Sequence, residues 1–176
     1  VRPVGRATLA AASAADAVLV HELTQRAWRG TVAPDSSAYR ETAADVEALF
    51  ARGGGAFLLR LDGEPVGSVR WVPVPHAEPS WEIKRMGVLR EARGLGLGER
   101  LAASVETAAR AADVARLQLG VRRDQPRLLD FWRRLGFRAD TAVALSSHNP
   151  LTAPPVTMSR RLSASGPRPR AGIARP

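Results

Sequence analysis

Glu82-Ile-Lys-Arg-Met-Gly-Val-Leu-Arg-Glu-Ala-Arg-Gly-Leu-Gly-Leu-Gly98 is the stretch on which the reading of this chain turns. It runs as a strand into a glycine-rich turn, Arg93-Gly94-Leu95-Gly96-Leu97-Gly98, and a helix opens at once. Leu97, Leu101, Val105, Ala108 and Ala112 form the apolar stripe of that helix. This order sets unhindered backbone N–H groups and an arginine at a helix N-terminus, where the helix dipole favours negative charge. Glycine suits the turn because a side chain would hold the backbone away from a phosphate, and because such turns need unusual backbone angles. The stretch therefore points to a phosphorylated ligand, the alternative being a tight connection with no ligand.

Two familiar phosphate loops do not fit. The dinucleotide fingerprint G-x-G-x-x-G needs a third glycine where Glu99 stands, and the nucleoside-triphosphate loop needs Lys then Ser or Thr where Gly98 is followed by Glu99 and Arg100. What remains is R-x-x-G-x-G after a strand, with Val88 five residues before Arg93. The segment resembles the acetyl-coenzyme A signature of the GNAT N-acetyltransferase superfamily. Downstream, Leu117 to Val121 reads as a short strand and Pro126 to Leu135 as a helix. Gly136 ends that helix, with Arg133 and Arg134 in its last turn to complement the negative end. Phe131-Trp-Arg-Arg-Leu-Gly-Phe137 is similar to the superfamily's second motif, a Tyr followed within a few residues by Gly-Phe. The two segments span Glu82 to Phe137, about a third of the chain, and the flanks resemble the family through element order alone.

Outward from this centre, a strand is expected near Arg6 to Leu9 and a helix from Ala14 to Trp28 that turns Leu19, Leu23 and Ala27 inward. A second helix spans Thr42 to Arg52, opened by a Thr42…Asp45 cap. Strands follow at Ala56 to Leu61 and Pro65 to Val72, joined by the hairpin dipeptide Asp62-Gly63. Two late strands are expected at Ala142 to Leu145 and Val156 to Arg161. From the residues alone this is a mixed α/β (α+β) domain. The resemblance implies a GNAT-like fold, with a central, mostly antiparallel mixed sheet of six to seven strands splayed between strands four and five, and about four helices. One such domain is expected over 1–162, and the Ser/Gly/Pro/Arg-rich segment 163–176 reads as a disordered tail.

The resemblance also implies site roles. Met86, Gly87 and Val88 would line the pantetheine arm of acetyl-coenzyme A. Arg93, Gly94, Leu95, Gly96, Leu97, Gly98 and Glu99 would hold its pyrophosphate, with Gln125 and Trp132 near the cofactor. Glu82, six residues before Val88, is the expected general base, and the Val88 N–H the expected oxyanion donor. A carboxylate could instead pair with one of the many arginines. Many relatives have a tyrosine where Trp132 stands. Its indole N–H does not release a proton at ordinary pH, so Trp132 packs or donates a hydrogen bond but is no acid. Gln125 likewise replaces a frequent asparagine. Trp28, Tyr39 and His148 are candidates to line the acceptor pocket. The implied activity is acetyl transfer to a primary amine of a small molecule or peptide by direct attack on the thioester. A non-catalytic acyl-coenzyme A sensor or scaffold of the same fold is the alternative. Homodimers are common in the family.

Composition narrows the partners. The net charge of +9 fits an acidic cofactor, but its basic residues are nearly all arginine amid much alanine, a compositional bias more than a patch. With one Tyr and four Phe there is no stacking platform, which argues against nucleic acid. No run approaches the roughly 20 apolar residues of a membrane span. The alanine-rich stretch from Ala7 to Val20 resembles a short signal peptide, yet Ser13 and Asp16 read better as a helix cap. Without cysteine there is no disulfide or catalytic thiol, which fits a cytoplasmic protein. No His/Asp/Glu cluster has metal-ligand spacing.

Overall fold

The computed structural model describes residues 5–162; the expected tail at 163–176 lies outside the described residues. Seven strands form one sheet in the order β1-β2-β3-β4-β5-β7-β6. They are β1 (Ala7–Ala12), β2 (Gly55–Leu61), β3 (Glu64–Val74), β4 (Ser80–Val88), β5 (Arg116–Val121), β6 (Arg138–Ala139) and β7 (Val156–Arg161). Four α-helices complete the fold: α1 (Ala17–Trp28), α2 (Ala43–Ala51), α3 (Leu97–Ala111) and α4 (Pro126–Arg134). Every strand pair is antiparallel except β4 with β5.

The two faces of the sheet carry separate cores, because successive strand residues point opposite ways. On β2, Ala56 and Leu58 join Val20, Leu23 and Val46 beneath α1 and α2. Phe57 and Leu59 turn to the other face, with Leu101 and Val105 of α3 and Trp132 of α4. A fully buried side chain such as Leu101 contributes roughly 1.5–3 kcal/mol. The α3 stripe keeps Leu97, Leu101 and Val105 as expected but continues through Ala109; Ala108 is only half-buried, and Ala112 is exposed because the helix stops one residue before it.

The punctuation follows local chemistry. Asp62 (φ 52°) and Gly63 (φ 88°) both take the positive angles of a two-residue hairpin turn between β2 and β3. The Thr42 and Asp45 side chains form a reciprocal capping box before α2, and Ser13 and Asp16 do the same before the 3₁₀ turn that leads into α1. Gly136 (φ 87°) takes the left-handed conformation just past α4.

The expected strand at Ala142 to Leu145 is a correction. Asp140 accepts from the backbone N–H of Ala142 (3.1 Å) and from the Ser159 hydroxyl (2.6 Å). That local turn peels the chain off the sheet after the two-residue β6, which the sequence reading had not separated from the loop. Residues 140–155 instead form an irregular segment of turns and bends.

Candidate active site

The site begins where β4 and β5 part. Their parallel pairing covers Ser80–Arg116, Trp81–Leu117 and Glu82–Gln118 and goes no further. From Ile83 to Val88 the β5-facing edge of β4 is without a strand partner, while β3 still pairs along the other edge. On that paired side the register steps from Ser68↔Gly87 to Arg70↔Lys84, so β4 carries one residue more than β3. Arg85, at φ 52°, sits in the resulting bulge. The gap opens into a cleft of about 1580 Å³ that also reaches α1, α4, the start of α3 and the loop before β7. That volume exceeds a typical small-molecule pocket of roughly 300–1,000 Å³, leaving room for a long ligand and a second one.

At one end of the cleft the chain leaves β4 through a 3₁₀ turn (Arg90–Ala92) and enters α3 through Gly94 (φ 81°) and Gly96 (φ 70°). A Cβ built on either glycine meets nothing within 4 Å, so the backbone here is bare toward the open side. Gly96 is the N-cap of α3 and offers no side-chain cap, leaving the first-turn N–H groups free for an anion. Arg93 does something the sequence did not announce. Its Nε donates to the Val88 carbonyl (3.0 Å) and its Nη2 to the Ala27 carbonyl (2.7 Å), which moors the glycine turn to β4 and α1. Gln125 donates to the Thr31 carbonyl (2.9 Å) and ties the start of α4 to the loop after α1. Trp132 is buried, edge-on to Phe131 and Phe137 with ring centroids 5.1 Å apart in both pairs, and forms part of the cleft wall.

At the root of the fork lies Glu82, only 3% exposed. Its Oε2 accepts from the Ser146 N–H (2.6 Å), its Oε1 from the Ser146 hydroxyl (3.0 Å), and the Lys84 ammonium is 3.7 Å away. Gln118, fully buried across the fork, donates to the Ala144 carbonyl (2.8 Å) and approaches Glu82 at 3.5 Å. The loop that replaced the expected strand is thus what clasps the carboxylate. Lys84 also donates to the Ser146 and Ser147 hydroxyls (3.0 and 2.8 Å). Burial lowers the Lys84 pKa below its ordinary value, against the pull of Glu82 and with the repulsion of Arg85.

Beyond Lys84 a second charge cluster lines the cleft. Arg70, 1% exposed, donates to Glu41 (2.7 Å), and Arg85 reaches the other oxygen of the same carboxylate (3.3 Å). Burial pushes the Glu41 carboxyl up, but Arg70 and Arg85 outweigh it and hold the group below its ordinary 4.5. The Trp28 indole donates to the Met86 carbonyl (3.3 Å) and lies under the Arg85 guanidinium, 5.4 Å from ring centre.

Most of the expected residues therefore meet in one cavity: Trp28, Glu82, Met86, Gly87, Val88, Arg93, Gly94, Gly96, Leu97, Gly98, Glu99, Gln125, Trp132 and His148. Leu95 is half exposed and stands outside the lining, contributing to the turn through its backbone. Tyr39 also stands outside it. Its hydroxyl donates to the Trp28 carbonyl (3.0 Å), so it braces the loop between α1 and α2 instead of facing the cleft. Sequence reading missed Glu41, Arg70, Lys84, Arg85 and Ser146. One signal was available: Lys84 is the single lysine in a chain with 26 basic residues. Among the described residues no group of three or more His, Cys, Asp or Glu side chains could hold a metal ion. No described helix is long and apolar enough to cross a membrane.

Comparison with solved structures gives the fold a wider context. An acetyltransferase of the GNAT family from Staphylococcus aureus superposes with a TM-score of 0.71 at 15% identity, covering 90% of this chain and all of that one. The PaiA N-acetyltransferase from Thermoplasma acidophilum, solved in complex with coenzyme A, gives 0.70 at 13% identity over 89% and 99% of the two chains. The ribosomal-protein-alanine N-acetyltransferase from Brucella melitensis gives 0.68 at 21% identity over 88% and 99%. No curated protein matches the sequence. The family model described as Acetyltransferase (GNAT) family matches residues 18–137, from α1 through the glycine turn to Phe137, and this chain belongs to that family.

Proposed function

We propose that this protein transfers the acetyl group of acetyl-coenzyme A to a primary amine of a small molecule or peptide, the amine attacking the thioester directly. The fork at Glu82 carries the reading. An unpaired strand edge, a buried carboxylate at its root and a bare helix N-terminus at its far end share one cleft.

The residues suit the cosubstrate by two independent features. The β4 edge from Ile83 to Val88 offers backbone groups to an amide-bearing arm as a further strand would. The open space over Gly94 and Gly96 lets backbone N–H groups reach a diphosphate. Bound there, acetyl-coenzyme A supplies an activated acyl carbon and a thiolate leaving group. In this scheme Met86, Gly87 and Val88 align the arm, and residues 93–99 grip the diphosphate. The Val88 N–H stabilises charge as it develops on the acyl oxygen. Glu82 takes the proton of the incoming ammonium, directly or through a water, and Ser146 and Lys84 hold its carboxylate in one orientation. Trp132 keeps water from the cleft wall and moves no proton. A sequence free of cysteine fits a reducing compartment such as the cytoplasm.

Free-thiol release measured across a panel of primary amines tests the proposal. Turnover with at least one amine, strongly reduced in Glu82→Gln at unchanged coenzyme A affinity, is the expected result. Tight coenzyme A binding with no thiol release from any amine would replace the enzyme by a non-catalytic acyl-coenzyme A-binding domain.

A further inference from the structure

We propose that the amine acceptor carries a carboxylate, and that Arg85, backed by Arg70, binds it; this rests on the acetyl-transfer reading above. The first support is backbone placement. Arg85 is the extra residue of the β4 bulge and adopts φ 52°, a left-handed angle that L residues other than Asn and Asp rarely take. Strain of this kind persists where the surroundings over-determine it, and it clusters at ligand clamps. Here it sends a guanidinium into the cleft one residue beyond Lys84.

The second support is charge. Arg70 and Arg85 share one carboxylate, Glu41, at 2.7 and 3.3 Å, so this trio, with Arg70 buried and the other two partly so, holds one positive charge in excess. The neighbouring Lys84–Glu82 pair is already balanced. Farther out in the same cavity Arg40 and Arg52 outnumber Asp45, whose carboxylate is engaged in the cap of α2. A buried charge without a full counter-charge is costly unless a ligand completes it. Burial lowers the Arg70 pKa, against the attraction of Glu41 and with a smaller repulsion from Arg85.

The third support is an unfilled hydrogen-bond site. Arg70 is 1% exposed, lines the cleft and donates to Glu41 and Thr24, yet its Nε, also buried, has no partner. Arg85 donates to Glu41 and to the Ser37 hydroxyl (3.0 Å) and stacks on Trp28. Glu41 and Ser37 thus hold the Arg85 guanidinium by its Nε and Nη2, and its Nη1 end is left for a carboxylate oxygen, with Arg70 adding charge from behind. A single excess charge matches a monoanion. A polyamine would instead bring a second ammonium against Arg85, Arg70 and Lys84, with Glu41 already taken by both arginines.

Matched acceptors test this. Each of several α-amino acids is compared with its amide and with the amine left when the carboxylate is removed, reading kcat/KM by thiol release. The acid member should be preferred by about tenfold or more, the value of one charge-assisted contact, and the difference should lie in KM. Arg85→Asn, which accepts the positive φ and so keeps the bulge, should erase the preference; Arg85→Lys should restore part of it. Both variants should bind coenzyme A as the wild type does by calorimetry, and loss of that affinity would assign Arg85 to the cofactor and overturn the proposal. Equal use of acid and amide, or a polyamine as the best acceptor, would also overturn it. Binding of N-acetylated amino acids against their amides to the coenzyme A-loaded protein gives a readout that needs no turnover. Preferential binding of the acid with no transfer to any amine would support the carboxylate site while removing the enzyme reading. Equal binding of the two would sink the site.

Discussion

Valine in place of Gly96 separates a backbone effect from a ligand effect. Gly96 caps α3 at φ 70° and ψ 13°, and a Cβ added there meets nothing within 4 Å. The side chain would therefore clash with no part of the fold. The cost is conformational, about 1–2 kcal/mol for an L residue in the left-handed region. At about 2–4 °C per kcal/mol for a domain of this size, the melting temperature should fall by about 2–8 °C. Toward the ligand the arithmetic differs. In the proposed binding mode a phosphate approaches the first-turn N–H groups through the empty space over Gly96, which an isopropyl group would fill. Losing two charge-assisted hydrogen bonds at about 1.5–3 kcal/mol each removes about 3 kcal/mol or more, which is at least about a hundredfold in Kd. Gly63→Val is the control: φ is 88°, nothing lies within 4 Å, and the residue sits in the β2–β3 turn away from the cleft. Both variants should melt lower by similar amounts, while calorimetry with coenzyme A should detect weakening only in Gly96→Val. Coenzyme A affinity equal in the two variants and the wild type would refute the phosphate-turn argument.

Three further outcomes follow from named contacts. Glu82→Gln keeps an amide oxygen to accept from the Ser146 N–H but loses the basic group; kcat should fall by about 10²–10⁴, and an unchanged kcat would remove Glu82 as base. Glu41 is held below its ordinary 4.5 because Arg70 and Arg85 outweigh its burial, so on acidification the unfolded chain takes up the proton before the folded one does. Its stabilising contribution is complete above about pH 4.5 and fades as pH falls through the folded value. The deficit of Glu41→Gln against wild type in urea melts should therefore shrink on acidification, and a constant deficit from pH 7 to pH 3 would contradict this. Gly55→Ala would put a Cβ 2.2 Å from the Trp71 ring; overpacking of that kind costs about 1–3 kcal/mol, read as a lower melting temperature with cleft chemistry intact, and a variant as stable as wild type would count against the packing.

How much of this was legible in the sequence depends on how local each determinant is. The hairpin at Asp62-Gly63, the capping boxes at Thr42 and Ser13, the glycine turn and the Gly136 cap are each written within about four residues, and each is where it was expected. The late strand at Ala142 to Leu145 failed for the complementary reason. Ala-Val-Ala-Leu is apolar throughout and suits a buried strand, but the Asp140 carboxylate accepts from the Ala142 N–H and that turn takes the chain off the sheet. Ser159, nineteen residues on, holds the carboxylate in place from β7. In the cleft, the strand end, the glycine turn and the start of α3 lie in one contiguous segment, which is why they could be picked out together. The clasp of Glu82 by Ser146 spans 64 residues and could not.

The acceptor end illustrates why a motif can mark where chemistry happens and say little about what is acted upon. Glu41 comes from the loop before α2, Arg70 from β3, and Lys84 and Arg85 from β4; the first two meet across 29 residues. Nothing in Lys84-Arg85-Met86 hints at a positive φ, since the glycine, asparagine or aspartate that usually announces one is absent. The bulge is therefore imposed by pairing on one edge of β4, to β3, together with the lack of pairing on the other. The same parting of β4 from β5 that leaves an edge open to a pantetheine arm also frees β4 to accommodate an extra residue. The proposed cofactor edge and the proposed acceptor charge are then two consequences of one break in the sheet. Restoring a flat register by deleting Arg85 should damage both at once, whereas Arg85→Asn should touch the acceptor alone.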